Sequence, residues 1–127
     1  MPNVKIILIN PDGKILLLHR ENKPGIEVPN KWSFVGGALD KGETPEEGII
    51  RETKEEIDFD VSGITLFKIY DDPEIKRYVF VSTIEKQITE LHLTEGDDFG
   101  FFTVEEALTM DISKNTRRYI VDYFLHK

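Results

Sequence analysis

The stretch of this chain best suited to chemistry is GETPEEGIIRETKEEIDF, residues 42 to 59. It sets seven acids (Glu43, Glu46, Glu47, Glu52, Glu55, Glu56 and Asp58) against two bases, Arg51 and Lys54. Thr44-Pro45-Glu46-Glu47 reads as a helix start. Thr44 can cap, Pro45 suits the first helical position, and Glu47 completes a capping box near the positive helix end. At about 100° per residue, Glu52, Glu55 and Glu56 share a sector about 100° wide. Ile49, Ile50, Thr53 and Ile57 form a buried stripe beside it, and Glu47 and Lys54 face solvent. A solvated charged face explains Glu47 and Lys54. It does not explain three acids with no base on their sector, because such carboxylates repel unless protonated or joined by a cation. Mg²⁺ takes oxygen ligands of this kind, a few carboxylates plus waters and substrate phosphates. Gly48, which costs about 1 kcal/mol relative to alanine inside a helix, is expected to let another backbone or a ligand come close.

Several elements must position that helix. Val4 to Ile9 is β-branched and apolar, Asn10-Pro11-Asp12-Gly13 is a turn, and Lys14 to His19 returns as the second strand of a hairpin. Residues 20 to 31, with two prolines and a glycine, read as a loop. Trp32 to Val35 is a short strand ending at Gly36-Gly37. After the acidic helix come strands over Ile64–Tyr70, Lys76–Ile84, Ile88–Thr94 and Gly100–Phe102. Thr103-Val104-Glu105-Glu106 opens a short helix with a capping box. Ser113 caps a last helix running to about Leu125, with Ile120, Tyr123 and Phe124 facing the core. Strands interspersed with two or three helices predict a mixed α/β sandwich.

The whole composition bounds the function. At 127 residues, 39% hydrophobic and 31% charged, the chain is expected to be one ordered domain over residues 1 to 127. Its net charge of −8 disfavours nucleic acid as a partner, since nonspecific binding rests on Lys/Arg patches. A phosphorylated small molecule remains a suitable partner if cations stand between carboxylates and phosphates. No apolar run approaches the roughly 20 residues of a membrane span, and the opening MPNVKIILINPDGK reads as a strand, not a signal peptide. Zero cysteines exclude thiolate catalysis and Cys-type zinc sites and fit a reducing, cytoplasmic location.

From Gly37 the chain reads GALDKGETPEEGIIRETKEEIDF, which resembles the Nudix box: Gly, five residues, Glu, seven residues, Arg-Glu-apolar-x-Glu-Glu-x-Gly-apolar. Gly37, Glu43, Arg51, Glu52, Glu55, Glu56 and Phe59 stand at those spacings. Coincidence of the six fixed positions has a chance of roughly 10⁻⁷ per window. Thr53 departs from the pattern mildly. Asp58 replaces the second glycine, and Val35 stands where many members have proline. Outside the box, Lys31 to Gly37 is similar to the family's approach strand. Glu95-Gly96 resembles a loop of the MutT-like branch whose glutamate is a further metal ligand or catalytic carboxylate. Arg20 resembles an arginine that contacts phosphate in that branch.

The resemblance implies a Nudix-type α/β/α sandwich with a mixed sheet. It implies hydrolysis of a pyrophosphate bond in a nucleoside triphosphate, or in a nucleoside diphosphate linked to another moiety. Glu52, Glu55, Glu56 and Glu95 would hold Mg²⁺, with Mn²⁺ as an alternative. Glu52 is favoured as the base that activates water, and Glu95 is its rival. Arg51, paired with Glu43 or a ligand carboxylate, would hold loop and helix in register. Gly36 and Gly37 would let phosphate approach, and Arg20, Lys23 and Lys31 are further phosphate contacts. Asn115 either reads a base edge or caps a helix. Homodimers are common in the family, so a homodimer is the assembly the resemblance allows. A nucleotide-binding module without catalysis is the alternative function, and loss of box carboxylates, all present here, would have favoured it.

Overall fold

The computed structural model describes residues 1–21 and 29–126. Among them the strands are β1 (Asn3–Ile9), β2 (Ile15–His19), β3 (Trp32–Ser33), β4 (Val35–Ala38), β5 (Thr65–Asp71), β6 (Lys76–Thr83) and β7 (Asp98–Phe102). The helices are α1 (Pro45–Ile57), α2 (Val104–Thr109) and α3 (Lys114–Ile120). The strands make one mixed sheet, parallel between β1 and β6 and antiparallel elsewhere.

The expected β1–β2 hairpin forms at its turn and then opens. Asn10 Oδ1 accepts from the N–H groups of Asp12 (3.1 Å) and Lys14 (2.9 Å), and Gly13 takes the positive φ (+79°) that the turn needs. Only Ile9 and Ile15 pair across the two strands. Beyond that rung β1 turns its edge to β4, which lies opposite Asn3–Ile6, while β2 turns its edge to β3. The segment 32–38 thus fills the gap between the diverging strands and changes partner at Phe34. The single strand expected to end at the glycine pair is two strands, with Gly36 and Gly37 inside the second. The loop that leaves β2 and returns to β3 is closed at its base, where Arg20 N–H donates to Lys31 O (2.8 Å) and Asn30 N–H donates to Arg20 O (3.1 Å).

Both faces of β1 and β2 are buried, which explains their near-continuous apolar runs. Val4, Ile6, Leu8, Leu16 and Leu18 point toward α1, where Ile49 and Ile57 meet them. Ile7, Ile15 and Leu17 point to the other side, under Ala107 of α2 and Tyr119 and Ile120 of α3. The period-2 alternation of the strands therefore builds two cores and an α/β/α sandwich.

Helix α1 starts at Thr44 with a complete capping box and ends at Asp58 in the left-handed conformation (φ 55°, ψ 47°). Asp58 N–H donates to Lys54 O (3.0 Å), and its carboxylate pairs with Lys54 Nζ (3.0 Å). The departure from glycine is thus accommodated by a residue that tolerates this conformation. Ile50, expected in the buried stripe, is 43% exposed, so the stripe is narrower and consists of Ile49, Thr53 and Ile57.

Two other expectations are corrected. Ile88–Thr94 is not a strand but a short 3₁₀ turn (Ile88–Glu90) followed by irregular chain. Its apolar residues Ile88, Leu91 and Leu93 pack on the α1 core, and its backbone serves the helix end. His92 N–H donates to Ile57 O (3.1 Å) and Thr94 N–H to Glu56 O (2.9 Å). Burial without a ladder was the source of the alternation. The last helix keeps its Ser113 cap but changes to a π-type turn over Val121–Leu125, and Tyr123 is more exposed than expected, packed edge-on to Phe67.

Candidate active site

Of the five glutamates in α1, Glu52 and Glu56 lie against the Gly36-Gly37 segment of β4, and Glu55 stands on the exposed side of the same cluster. Glu52 packs so closely under β4 that a Cβ on Gly37 would stand 3.0 Å from its carboxylate. Burial first, then the Glu56 charge, pushes its carboxyl up from 4.5 to about 7, against the pull of Arg51. Glu56 is 1% exposed. It accepts from Gly36 N–H (3.0 Å) and from Arg20 Nη1 (2.8 Å). Burial alone would raise Glu56, but the charges of Arg20 and Lys5 and these hydrogen bonds outweigh it and hold the group below its ordinary value. Glu55 is exposed and meets Arg51 Nη1 at 3.0 Å.

Arg51 is the hub that joins helix to loop. Its Nε and Nη2 make a forked pair with Glu43 (2.7 and 3.0 Å), Nη1 reaches Glu52 (3.1 Å), and Nη2 donates to Ala38 O (3.2 Å). Glu43 also accepts from Asp40 N–H (2.9 Å), and the Arg51 pairing draws its carboxyl down to about 2. The residue opposite this loop is Gly48. A Cβ there would stand 2.1 Å from Leu39 Cδ2 and 3.1 Å from Glu43 Oε1. Gly48 therefore makes room for side chains of the preceding loop, where a backbone or ligand was expected. The carboxylate sector is likewise not without bases, since Arg51 lies between Glu52 and Glu55 and Arg20 arrives from β2.

Arg20 was expected to contact phosphate. It is 8% exposed and bound within the protein: Nε donates to Ser33 Oγ (2.9 Å), Nη2 to Phe34 O (2.9 Å), and Nη1 to Glu56. Lys5 Nζ donates to the same carbonyls, Phe34 O (3.3 Å) and Gly36 O (3.2 Å). Lys5 and Ser33 were missed by sequence reasoning. Lys5 left a signal, being the one charge inside an otherwise apolar first strand. Ser33 left none.

Glu95 enters from the chain that closes the C-terminal end of α1. Thr94 before it is fixed to Glu56 O and, through its hydroxyl, to Glu55 O. A hydrogen bond to Glu56, then burial, then the Glu56 charge push the Glu95 carboxyl up. Like charges brought together in this way favour a shared proton or a cation between them. Among the described residues no three acids converge closely enough to hold a metal as they stand. The donor set nevertheless fits a hard divalent ion: all oxygen, with Glu52 disfavoured as an anion by burial and Glu56, and Glu95 hydrogen-bonded to Glu56.

Other expected residues lie elsewhere. Asn115 sits at the start of α3, half-buried, and its Oδ1 accepts from Arg118 (3.5 Å), while Ser113 takes the capping role. Lys31 pairs with Asp111 (2.6 Å), and Lys23 lies outside the described residues. Phe34 is core, and Trp32 packs edge-on against His19 and Phe102.

A family model for the NUDIX domain matches residues 1–124. The chain belongs to the Nudix hydrolase family, whose members generally use divalent metal ions. It is 42% identical over 91 residues to an RNA pyrophosphohydrolase of a Nitratiruptor species, a match covering 72% of this chain and 54% of that protein. The match thus spans about half the length of that relative. It is 27% identical over 126 residues to the nucleoside triphosphatase NudI of an Enterobacter species, covering 87% of each. Among solved structures, a MutT from work on Aliivibrio salmonicida and Vibrio cholerae superposes with a TM-score of 0.78 at 22% identity, covering 97% of this chain and 98% of that one. That likeness confirms the fold.

Proposed function

We propose that this chain hydrolyses a phosphoanhydride bond in a nucleoside triphosphate or a nucleoside diphosphate linked to another moiety, with Mg²⁺ held by Glu52, Glu55, Glu56 and Glu95. The observation that carries the reading is the seating of Glu52 and Glu56 under Gly36-Gly37, where a Cβ on Gly37 would stand 3.0 Å from the Glu52 carboxylate and Gly36 N–H donates to Glu56 (3.0 Å). Bound there, the cation would neutralise the diphosphate and stabilise charge on the transferring phosphorus. Glu52, packed under β4 and joined to Arg51, orients and deprotonates the attacking water. Glu95, on the chain that closes the end of α1, is the second carboxylate able to do so. Arg51 keeps Glu43 and Glu52 in register across the loop–helix junction. Asn115, at the start of α3, is the group assigned to a base edge.

The names of the relatives widen the substrate class. RNA carries a phosphoanhydride only at a phosphorylated terminus, so a 5′-triphosphorylated oligoribonucleotide presents the same reacting group as a nucleoside triphosphate. Incubation with Mg²⁺ and a panel of NTPs, sugar nucleotides, ADP-ribose, dinucleotide polyphosphates and such an oligoribonucleotide tests the reading. Divalent-dependent release of phosphate or pyrophosphate from one of these is expected. Binding of several without turnover of any would sink the hydrolytic role and leave a nucleotide-binding module.

A further inference from the structure

We propose that His19, the last residue of β2, and Arg20, which follows it, are positioning residues that set the Glu56–Glu95 pair for its cation. The proposal rests on the metal-dependent reading above and assigns to β2 a role the family resemblance did not give it. Neighbouring residues of a strand point to opposite sides, and each of these two takes hold of a different part of the site. Arg20 reaches α1. Its donors go to both oxygens of Glu56 (2.8 and 3.5 Å), to Ser33 Oγ and to the Phe34 and Gly36 carbonyls. Turning toward a phosphate would strip a buried carboxylate of its partner, a costly exchange. Arg20 therefore aims Glu56 and leaves the substrate to other groups.

His19 reaches the Glu95 loop. Its Nδ1 lies 2.6 Å from Asp97 Oδ1, and its carbonyl accepts from Asp97 N–H (3.1 Å). Gly96 crosses so close to that carbonyl that a Cβ would stand 2.6 Å from it, and φ there is +88°. Glu95 is thus held on one side by Thr94 bonded to the end of α1, and on the other by Gly96-Asp97 seated on His19. Trp32, 5.2 Å away edge-on, holds the imidazole in place. One dipeptide fixes the two carboxyls that come from distant parts of the chain.

The test titrates Mn²⁺ alone into the full chain, reading free Mn²⁺ by electron paramagnetic resonance, with thermal unfolding run on each variant. Arg20→Lys and Asp97→Ala should each weaken Mn²⁺ binding about 10-fold or more, as removal of groups behind metal ligands does. Asp97→Asn removes the same charge as Asp97→Ala but keeps an acceptor for His19, so it should stay within about 3-fold of wild type if position is what matters. Equal losses for Asn and Ala would reduce Asp97 to a nearby charge and overturn the His19 half. Wild-type Mn²⁺ affinity in a folded Arg20→Lys protein would overturn the Arg20 half and return that residue to phosphate contact. If Arg20→Lys fails to fold, the exposed Asp97 pair of variants still decides the loop clamp. A wild-type chain that binds no Mn²⁺ overturns the metal reading itself and this proposal with it. Binding by wild type with unaltered variants overturns the positioning role alone.

Discussion

Two charged regions of this molecule look alike in sequence and differ in balance. At the corner between β5, β6 and α3, Asp72 takes both Arg118 nitrogens (3.0 Å each) and Arg77 Nε (3.1 Å). Asp122 there accepts from Tyr70 Oη (2.6 Å), with Lys68 at 3.6 Å, and the Arg118 guanidinium lies 4.2 Å over the Tyr70 ring. Asp72 and Asp122 thus meet three bases, and both carboxyls are held below their ordinary values. Along the edge of α1, Asp40, Glu43, Glu52, Glu55, Glu56 and Glu95 face Arg20, Arg51 and Lys5, and two of those acids are pushed up instead. A charge cluster whose bases suffice is a brace. One whose acids outnumber its bases leaves some of them raised, a strain that a proton or a cation can relieve.

The largest effect should come from neutralising the residue that the imbalance falls on most. Glu52→Gln is expected to cut turnover by about 10²–10⁴-fold, the usual share of a positioned acid–base group, in steady-state assays on the best substrate of the panel. The fold should survive, because the native state already favours an uncharged group there. Arg20→Met removes one partner of a buried pair and should cost about 3–5 kcal/mol in urea unfolding. Arg77→Lys, at the balanced corner, should lower the melting temperature slightly and leave turnover unchanged. A large loss of activity there would erase the distinction between the two regions.

The pH dependence sharpens the contrast. Glu52 is raised in the folded chain, so its contribution to metal-free stability is complete below pH 4.5 and is lost as pH rises through about 7. The loss is at most about 3 kcal/mol. Glu52→Gln should flatten that slope. Without added metal, wild-type stability should fall over this range, and Mg²⁺ should restore it by binding the ionised site. Asp58→Gly should have the smallest effect, within about 1 kcal/mol of wild type, since glycine suits φ 55° but gives up the Lys54 pair.

Much of this arrangement is legible in the chain. The shared sector of Glu52, Glu55 and Glu56, the Thr44 cap and the left-handed Asp58 each follow from local rules, because a helix fixes its own geometry. The bases that meet those acids do not. Arg20, Lys5 and Ser33 come from other strands, and no period relates them to α1. The opening of the β1–β2 hairpin was hidden for a similar reason. A turn sequence specifies its first rung, and what happens beyond depends on a later segment arriving to take the edges. Ile88–Thr94 misled because an apolar alternation reports burial, whereas strand pairing depends on where the backbone bonds go, and here they go to the end of a helix.

The two hydrogen bonds between Arg20 and Asn30-Lys31 have a consequence for how such a protein can change. Arg20 and Asn30-Lys31 are fastened to each other before the chain between them begins. Whatever length or composition lies beyond that fastening, the guanidinium that aims Glu56 and the strand that carries Gly36 leave from the same fixed points. Between two points fixed in this way, doubling the length of a chain costs only about 0.6 kcal/mol in closure entropy. The glutamate cluster can keep its dimensions while the chain elsewhere changes.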